Sequence, residues 1–556
     1  MTAPRPPSGP LRLPRRPLAE LVAEAWPRAQ AHWSSFLVMG DPVLGAALPA
    51  VAQIHLGTRQ VTLDAREIER HGLEDCIEAL LAHEVGHHVR YPGTLAVQAR
   101  MRMLERSIIP YEGCSVINLF TDLMINEQLG AVYRDPLVKA YRALVPVERW
   151  HDGPVLLFYL TLYEEIWQLP PGQLLSEEAA GYEAAYPGFR ADAQLLAQDL
   201  FHLGPNLFTQ FLFFTSVALR YLVPPAGAPA QLDAPCSSAE PSADDWADAL
   251  TPSAQERAAI ERARREGWIS TEMADRIAGE DARDRRIAGL PGAGTDDARR
   301  VPEIMAAYYR REAERHLFRV PTRRVLGEAV VPTTVDDWAP GDAVRAIDWA
   351  ATLRARGEVY GAVQPLLREV VADHEGLEQP TERPRMEIYL DVSGSMPNPI
   401  TSVNAMTLAA LVLAIGAVRA EGAVRAVLYS TGTTERWAWC RSEAEMSRFL
   451  MHYIGAGTQF PFARLAASVR ECGREQPHRV IITDRDFDAN LSAAPDHAVT
   501  VAEAASRGRV VLLQHNPDPV RIRGHQALGA AVVPVTALDD FPRAAATLVR
   551  ALFEVR

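Results

Sequence analysis

The sequence predicts a multidomain protein with a mainly helical α+β domain towards the N-terminus and a doubly wound α/β domain at the C-terminal end. Its 556 residues exceed what a single hydrophobic core usually organises. Between about residues 18 and 222, helical patterns surround one clear strand pattern at residues 53–65. From residue 386 onward, short β-type apolar runs alternate with helical segments, which is typical of a parallel sheet covered by helices.

The composition is that of an acidic globular protein. Hydrophobic residues make up 48% of the chain and charged residues 23%, and the formal net charge is −13. This charge argues against nucleic acid or an anionic membrane surface as the main partner. Five cysteines are scattered without a CxxC pair, which favours a reducing compartment and hence the cytoplasm. The most apolar run, residues 207–219, is shorter than the roughly 20 residues of a membrane span, so we expect no membrane insertion.

Changes in composition divide the chain into five segments. A Pro- and Arg-rich start without the apolar core of a signal peptide predicts a flexible leader. The stretch after the first domain is rich in Pro, Ala, Ser and Asp, as linkers are, and also contains charged helical patterns. The predicted segments are a leader at 1–17, a first domain at 18–222, a linker with short helices at 223–300, a connecting region at 301–385 and a second domain at 386–556.

The first candidate site is the sequence HEVGH, which begins at His83. On the predicted helix, His83 and His87 are four residues apart, so both imidazoles project from one face. Two such histidines can bind zinc, and Glu84 beside them can hold the attacking water and take its proton as the catalytic base. The alternative is a helix whose histidines only face solvent. A third ligand elsewhere in the chain would favour the metal site.

The sequence INLFTDLMINEQL offers such a ligand. Asn118, Asp122 and Asn126 recur every four residues and form a polar stripe on an otherwise apolar helix. A buried polar stripe costs free energy unless its members are paired or bound to a metal. We therefore take Asp122 as the third zinc ligand, with Asn118 and Asn126 supporting the ligands or the substrate. Glu127 and Glu112 are the alternative third ligands.

Two residues beside HEVGH have less defined roles. We expect His88 to be exposed or to support the ligands rather than to bind the metal. Tyr91 could donate a hydrogen bond to the oxyanion of a tetrahedral intermediate, and a packing role for its ring explains its position equally well.

The sequences AHEVGHH and, about 30 residues later, NLFTDLMIN together resemble bacterial metallopeptidase domains that are fused to a von Willebrand factor A-like domain. The resemblance covers roughly residues 50–130. It implies a zincin-like fold of the gluzincin type, in which a second helix supplies an acidic third ligand. The strand pattern upstream of the helix suits that arrangement, because an extended substrate can add to a free sheet edge.

The second candidate site is the sequence DVSGS at the end of a predicted strand. Asp391, Ser393 and Ser395 offer oxygen atoms, which Mg²⁺ prefers as ligands. Thr458 in GAGTQF and Asp484 in VIITDRD follow later in the chain, and Asp484 ends another apolar strand. Because open α/β sheets bind ligands at the carboxyl ends of their strands, we expect these groups to meet. The sequence therefore predicts a magnesium site.

This set of residues resembles the metal-ion-dependent adhesion site of von Willebrand factor A domains, and the resemblance covers most of residues 386–556. It implies that the five side chains coordinate magnesium and leave one position free for an acidic side chain of a protein partner. The chain departs from the family pattern at TDRDFD, where a glycine often follows the aspartate. Asp486 or Asp488 could therefore alter the coordination.

A third resemblance lies upstream of the second domain. The sequence WAPGDAVRAIDW is similar to a box found before the von Willebrand A domain in bacterial proteins that are associated with MoxR-type AAA+ ATPases. In structural terms it could be only a turn at Pro340–Gly341 with Arg345 and Asp348 paired nearby. The chain has one lysine, Lys139, outside any glycine-rich loop, so it lacks a P-loop of its own. An ATPase partner would supply the nucleotide chemistry.

These observations predict a zinc-dependent peptidase joined to a magnesium-dependent protein-binding module, working with an AAA+ ATPase. The alternative is a non-proteolytic adaptor, or a chaperone that inserts metal into a partner, in which zinc is structural. Replacing Glu84 separates the two, because the change leaves the three proposed zinc ligands in place.

Overall fold

The protein is described from a computed structural model. The described residues are 16–109, 115–144, 154–174, 181–222, 239–279, 282–291, 300–317, 331–357, 364–371 and 385–553. Most of the predicted leader, the alternative ligand Glu112, Cys114 and Cys236 lie outside them. The chain divides into two compact units: unit 1 is Met1–Glu312 with Met396–Asn404 and Met451–Tyr453, and unit 2 is Ala313–Ser395, Ala405–Leu450 and Ile454–Arg556.

Unit 1 contains a small sheet. Its strands are β1 (Val43–Gly45), β2 (Ala52–His55) and β3 (Gln60–Asp64), in the order β1-β3-β2. Strand β3 pairs in parallel with β1 and antiparallel with β2. Asp64 ends β3 and caps the next helix, since its carboxylate accepts hydrogen bonds from the amides of Arg66 and Glu67. The strand predicted at residues 53–65 is thus a hairpin, β2 and β3.

The rest of unit 1 is helical. The helices of the predicted first domain are α1 (Leu18–Trp33), α2 (Ala65–His71), α3 (Ile77–Val89), α4 (Leu95–Ile108), α5 (Ile117–Leu144), α6 (Pro154–Ile166), α7 (Tyr182–Ala185), α8 (Phe189–Asp199) and α9 (Leu207–Ala218). The apolar run predicted to be a core helix is α9, whose residues are mostly buried. In the part of the chain that the structure describes, no helix is both long enough and apolar enough to cross a membrane.

Helix α5 bends sharply at Tyr133, whose φ of −114° and ψ of 19° are not helical. Pro136 follows three residues later, and it lacks the amide that would continue the helical hydrogen bonds across the bend. The bend gives the second half of α5 a different direction from the first half. Consequently Tyr141, which in a straight helix would lie about 22 Å from Asn126, is in hydrogen-bond contact with it.

The structure corrects the predicted linker. The described residues of segment 223–300 form four helices and the start of a fifth, which belong to unit 1: α10 (Ala243–Ala249), α11 (Ala254–Arg265), α12 (Thr271–Ala278), α13 (Ala282–Ala288) and α14 (Arg300–Glu314). Trp246 of α10 is fully buried. Arg100 of α4 donates hydrogen bonds to the carboxylates of Asp248 and Glu256. Polar composition suggested a linker, whereas buried ion pairs and one tryptophan attach these helices to the first domain.

Unit 2 is built on a parallel sheet with one antiparallel edge. Among the described residues, six strands take the order β11-β10-β9-β6-β7-β8, and all neighbouring pairs are parallel except β7 with β8. They are β6 (Arg385–Asp391), β7 (Ala423–Tyr429), β8 (Thr433–Cys440), β9 (His478–Thr483), β10 (Val510–His515) and β11 (Ala531–Val535). Strand order reverses between β6 and β9, so the sheet is doubly wound as predicted.

Helices flank this sheet and explain its apolar strands. Every residue of β7 is buried, as expected where both faces of a strand are covered, whereas the edge strands β8 and β11 are partly exposed. Helix α16 packs on α22, and α18 packs on α20. The helices are α16 (Ala405–Arg419), α17 (Glu443–Leu450), α18 (Phe462–Glu471), α19 (Asp486–Ser492), α20 (Pro495–Arg507), α21 (Pro519–Ala527) and α22 (Phe541–Phe553).

The GDAVRAIDW box lies in a small element of unit 2 with antiparallel strands β4 (Val331–Asp337) and β5 (Leu366–Val371) and helix α15 (Trp349–Arg356). The predicted turn is present, since the Asp342 amide donates to the Ala339 carbonyl. The expected pairing of Arg345 with Asp348 is wrong. Asp348 caps α15 and forms its ion pair with Arg368, because β5 lies beside the cap.

Candidate metal centres

Helix α3 carries HEVGH at its C-terminal end and presents two imidazoles from one face. His87 is 2% exposed and His83 is partly buried. His83 Nε2 lies 3.5 Å and His87 Nε2 lies 3.2 Å from Oδ1 of Asp122, which comes from α5. In the described ranges, these three residues are the one group of three His, Cys, Asp or Glu side chains whose ligand atoms lie within 4.8 Å of one another.

Gly86, inside HEVGH, allows α3 to pack closely on α5. A Cβ atom at this position would lie 2.6 Å from Cζ2 of Trp33 and 2.7 Å from Cγ2 of Ile125. Ile125 is on the same helix as Asp122. The glycine therefore sets the separation that brings the carboxylate within reach of both imidazoles.

Both histidines donate a hydrogen bond through Nδ1 and leave Nε2 facing Asp122. His87 Nδ1 is 2.8 Å from the main-chain oxygen of Tyr91, and His83 Nδ1 is 2.8 Å from Oδ1 of Asn126. This arrangement fixes the tautomer that can bind a metal through Nε2. Tyr91 thus contacts the site through its carbonyl, while its phenol accepts a hydrogen bond from Gln128 rather than pointing at the ligands.

Of the other residues predicted to act at this site, the two asparagines contact its ligands and Glu127 does not join them. Asn118 contacts Asp122, with its Nδ2 3.4 Å from Oδ2 of the carboxylate. Glu127, the described alternative ligand, is absent from the group of converging ligand atoms, and burial raises its pKa. Of the two asparagines in the polar stripe, Asn126 is the more buried, with 1% of its surface exposed.

Glu84 lies on α3 between the two histidines and is 6% exposed. The amide of Ile54 in β2 donates a hydrogen bond to its carboxylate. Burial is the main cause that raises the pKa of Glu84, and the nearby imidazoles act in the opposite direction. Since β2 is at the edge of the small sheet, the carboxylate sits between the histidine pair and an edge strand.

The charges within the cluster favour a bound cation. Burial lowers the pKa of His83, but the nearby Asp122 carboxylate outweighs burial and raises this pKa to about 9. Burial likewise raises the pKa of Asp122, yet the two imidazoles hold it well below its ordinary value. Oδ1 of Asp122 is buried and accepts no hydrogen bond, although it faces both Nε2 atoms. The two imidazole nitrogens and this unsatisfied carboxylate oxygen together form a donor set that fits a zinc ion.

The second candidate centre lies at the carboxyl ends of β6 and β9. Asp391 is fully buried and its Oδ1 accepts from the Ser393 amide. The Ser393 and Ser395 hydroxyls are 3.1 Å apart, and Ser395 Oγ is 3.3 Å from Oδ2 of Asp484. Burial raises the pKa of Asp391 to about 6, and the charge of Asp484 adds to the effect. Hydroxyls and carboxylates without a basic partner among them are a donor set that fits magnesium.

Asp486 joins this cluster and Asp488 does not. Thr458 Oγ1 lies 3.3 Å from Oδ2 of Asp486, and the Asp486 amide donates to Oδ1 of Asp484. Asp488 points away, since its carboxylate contacts Nε2 of His525 at 2.7 Å and Nε2 of Gln514 at 3.1 Å. The departure from the expected glycine therefore adds one exposed carboxylate beside Thr458.

Gly394 in DVSGS brings the threonine loop to the cluster. Its amide donates to the Ala456 carbonyl at 2.6 Å, and a Cβ atom would lie 3.0 Å from that oxygen. Ser430 also contacts the loop, since its hydroxyl faces the carbonyl oxygens of Gly455 and Gly457 and can donate its single proton to either. These contacts place Thr458 within reach of the aspartates.

Sequence reasoning missed three tyrosines behind His83. Tyr141 of α5 and Tyr159 and Tyr163 of α6 join their hydroxyls around Asn126, and we call these four residues the hydroxyl cluster. The spacing of Tyr159 and Tyr163, one helical turn apart in FYLTLY, is the only signal of it in the sequence.

No protein-family model and no curated protein sequence matches the chain. Among solved structures, a von Willebrand factor type A protein from Catenulispora acidiphila is similar to part of it, with 15% identity and a TM-score of 0.24. The similarity covers 30% of this chain and 42% of that one.

Proposed function

We propose that the protein is a zinc-dependent peptidase that carries a magnesium-dependent protein-binding module. The observation that supports the peptidase most is the convergence of His83, His87 and Asp122 beside a buried Glu84. Such a group supplies three protein ligands, the number that catalytic zinc sites use while keeping a fourth position for water or substrate.

The roles of the side chains follow from their surroundings. Bound zinc would supply Lewis-acid polarisation of a peptide carbonyl and activation of water. His83 and His87 would hold the metal through Nε2, because their Nδ1 atoms donate elsewhere. Glu84 accepts the proton of the attacking water and passes it to the leaving amine, and burial moves its pKa towards the range that suits this task.

Replacing Glu84 tests this proposal. Glu84→Gln should lower the rate of peptide hydrolysis about 10²–10⁴-fold, since the general base is lost, while zinc content stays at the level of the unchanged protein. We suggest β-casein as an unstructured probe, with zinc measured by mass spectrometry. The matched control is Glu78→Gln on the same helix, because Glu78 pairs with Arg28 away from the ligands. Equal hydrolysis by Glu84→Gln and the unchanged protein would exclude the peptidase.

We further propose that the magnesium centre binds a protein partner through an acidic side chain, and that the partner is a MoxR-type AAA+ ATPase or a substrate that it delivers. Ser395 and Asp486 are exposed, so the centre is accessible from solvent. This accessibility also supports the second candidate, a cytoplasmic adaptor or metal-insertion chaperone in which unit 2 does the work and zinc is structural. The Glu84 experiment separates the two candidates.

A further inference from the structure

The hydroxyl cluster is a closed set of short contacts. Nδ2 of Asn126 lies 3.0 Å from the Tyr141 hydroxyl and 2.8 Å from the Tyr163 hydroxyl. These two hydroxyls are 2.9 Å apart, and the Tyr159 hydroxyl is also 2.9 Å from that of Tyr163. Asn126, Tyr159 and Tyr163 are between 0% and 3% exposed. The four contacts therefore have to be satisfied by the protons of these residues.

Counting protons determines which way the Asn126 amide points. With its nitrogen towards the tyrosines, the amide donates one proton to Tyr141 and one to Tyr163, Tyr141 donates to Tyr163, and Tyr163 donates to Tyr159. With the amide reversed, its oxygen takes the protons of both Tyr141 and Tyr163. No proton then remains for the contact between these two hydroxyls, because four contacts share three hydroxyl protons. Only the first orientation satisfies every contact.

This orientation has a consequence for His83. It turns Oδ1 of Asn126 towards Nδ1 of His83, at 2.8 Å, and a carbonyl oxygen can only accept a hydrogen bond. Nδ1 of His83 must then carry the proton, and Nε2 offers its lone pair on the side of Asp122. His87 Nδ1 likewise donates to the main-chain carbonyl of Tyr91, which needs no further group to fix its orientation. His83 depends on a side-chain amide, which can rotate, so it needs a device that prevents rotation.

We propose that Tyr141 and Tyr163 are positioning residues for the zinc site, which hold the Asn126 amide in the one orientation that makes His83 a metal ligand. The inference rests on the proposed zinc site and is independent of peptide hydrolysis. The bend of α5 belongs to the same device, because it returns Tyr141 to Asn126 on the same helix.

The test is zinc affinity, measured on the full chain by competition with a chromophoric chelator. Outer partners of metal-binding histidines typically contribute 10–100-fold to metal affinity. We expect Asn126→Ala to lose affinity within that range and the double variant Tyr141→Phe/Tyr163→Phe to lose about tenfold. With cobalt in place of zinc, the visible absorption of the double variant should also change, because one ligand is displaced.

The control is Tyr221→Phe in the same unit. Tyr221 is 1% exposed and its hydroxyl donates to Asp192 at 2.6 Å, so this change removes a buried phenol hydroxyl that has no part in the cluster. Its zinc affinity should equal that of the unchanged protein. Unchanged affinity in the double variant, or an equal loss in Tyr221→Phe, overturns the inference. If the unchanged protein binds no zinc, both the proposed zinc site and this inference are wrong. If it binds zinc but hydrolysis does not depend on Glu84, only the proposed peptidase activity is wrong.

Discussion

Asp122 is partly buried and Asp391 is fully buried, yet their surroundings shift the two carboxylate pKa values in opposite directions. Two imidazoles lower the pKa of Asp122, although burial alone would raise it. Asp391 has hydroxyls and other carboxylates as neighbours, and burial raises its pKa to about 6. The two carboxylates therefore differ in their neighbours, which are imidazole nitrogens at the first centre and oxygen atoms at the second.

The choice of third zinc ligand is a prediction at this scale. Asp122→Asn should lose most of the bound zinc, since the carboxylate that faces both Nε2 atoms becomes neutral, and Glu127→Gln should keep it. Zinc per chain, measured after dialysis by mass spectrometry, distinguishes the two. Full zinc in Asp122→Asn together with loss in Glu127→Gln would show that Asp122 is the wrong ligand.

Asp391 predicts a dependence of stability on pH in the absence of cations. Its folded-state pKa of about 6 lies above the ordinary 3.8, so the folded protein binds more protons than the unfolded chain between these values. The free energy of unfolding should therefore fall as pH rises from about 4 to above 6, by on the order of 2 kcal/mol from this group. Urea unfolding of unit 2 in EDTA at pH 5 and pH 7.5 measures the change.

Asp391→Asn is the control for this pH dependence, because an amide does not titrate. The variant should be less sensitive to pH than the unchanged protein, and magnesium at pH 7.5 should restore stability only to the latter. The same pH dependence in both proteins would assign it to other groups.

At the scale of elements, the first centre depends on how closely α3 and α5 pack. Pattern and spacing place His83, His87 and Asp122 on two helices, but the contact between the helices passes through Gly86 and Ile125. Close packing of the two helices therefore explains the glycine at position 86, independently of any role in catalysis.

Gly86→Ala should weaken both packing and zinc binding. The added methyl group would meet Trp33 and Ile125 at 2.6–2.7 Å, which forces the helices apart and typically costs about 1–3 kcal/mol. Gly40→Ala is the control, since a Cβ atom there meets nothing within 4 Å. Thermal unfolding and zinc content measure the effect, and unchanged values for Gly86→Ala would mean that the helix contact adapts without moving Asp122.

At the scale of the whole molecule, the two centres lie in different units of the chain. Their separation along the sequence does not come from a long linker, because the described helices between residues 239 and 291 pack on unit 1. Each centre has its own donor set, so we expect loss of one metal to leave the other bound.

This separation allows a test of partner binding. A purified MoxR-type AAA+ ATPase should be retained by the immobilised protein in magnesium, released by EDTA and not retained by Asp391→Ala, because the bridging cation is then lost. Asp391→Ala should keep its zinc, which serves as the control for folding of unit 1. Equal recovery of the ATPase by both proteins, with and without chelator, would show that the magnesium centre is not the docking point.

Features with a regular spacing along the chain could be predicted from the residues. The spacing of His83 and His87, the polar stripe through Asp122, and the alternation of apolar strands and helices after residue 386 are periodic patterns, and periodicity reports which side chains share a face. The doubly wound sheet and the convergence of the predicted ligands therefore could be anticipated from residues alone.

Contacts between residues that are far apart in the sequence could not be predicted and are visible only in the structure. The helices of the predicted linker are polar in composition, but buried Trp246 and ion pairs such as those of Arg100 attach them to unit 1. The bend at Tyr133 brings Tyr141 to Asn126 across 15 positions, which no local pattern reports. Asp486 reaches Thr458, while Asp488 two residues later turns to His525, because successive side chains of α19 point in different directions.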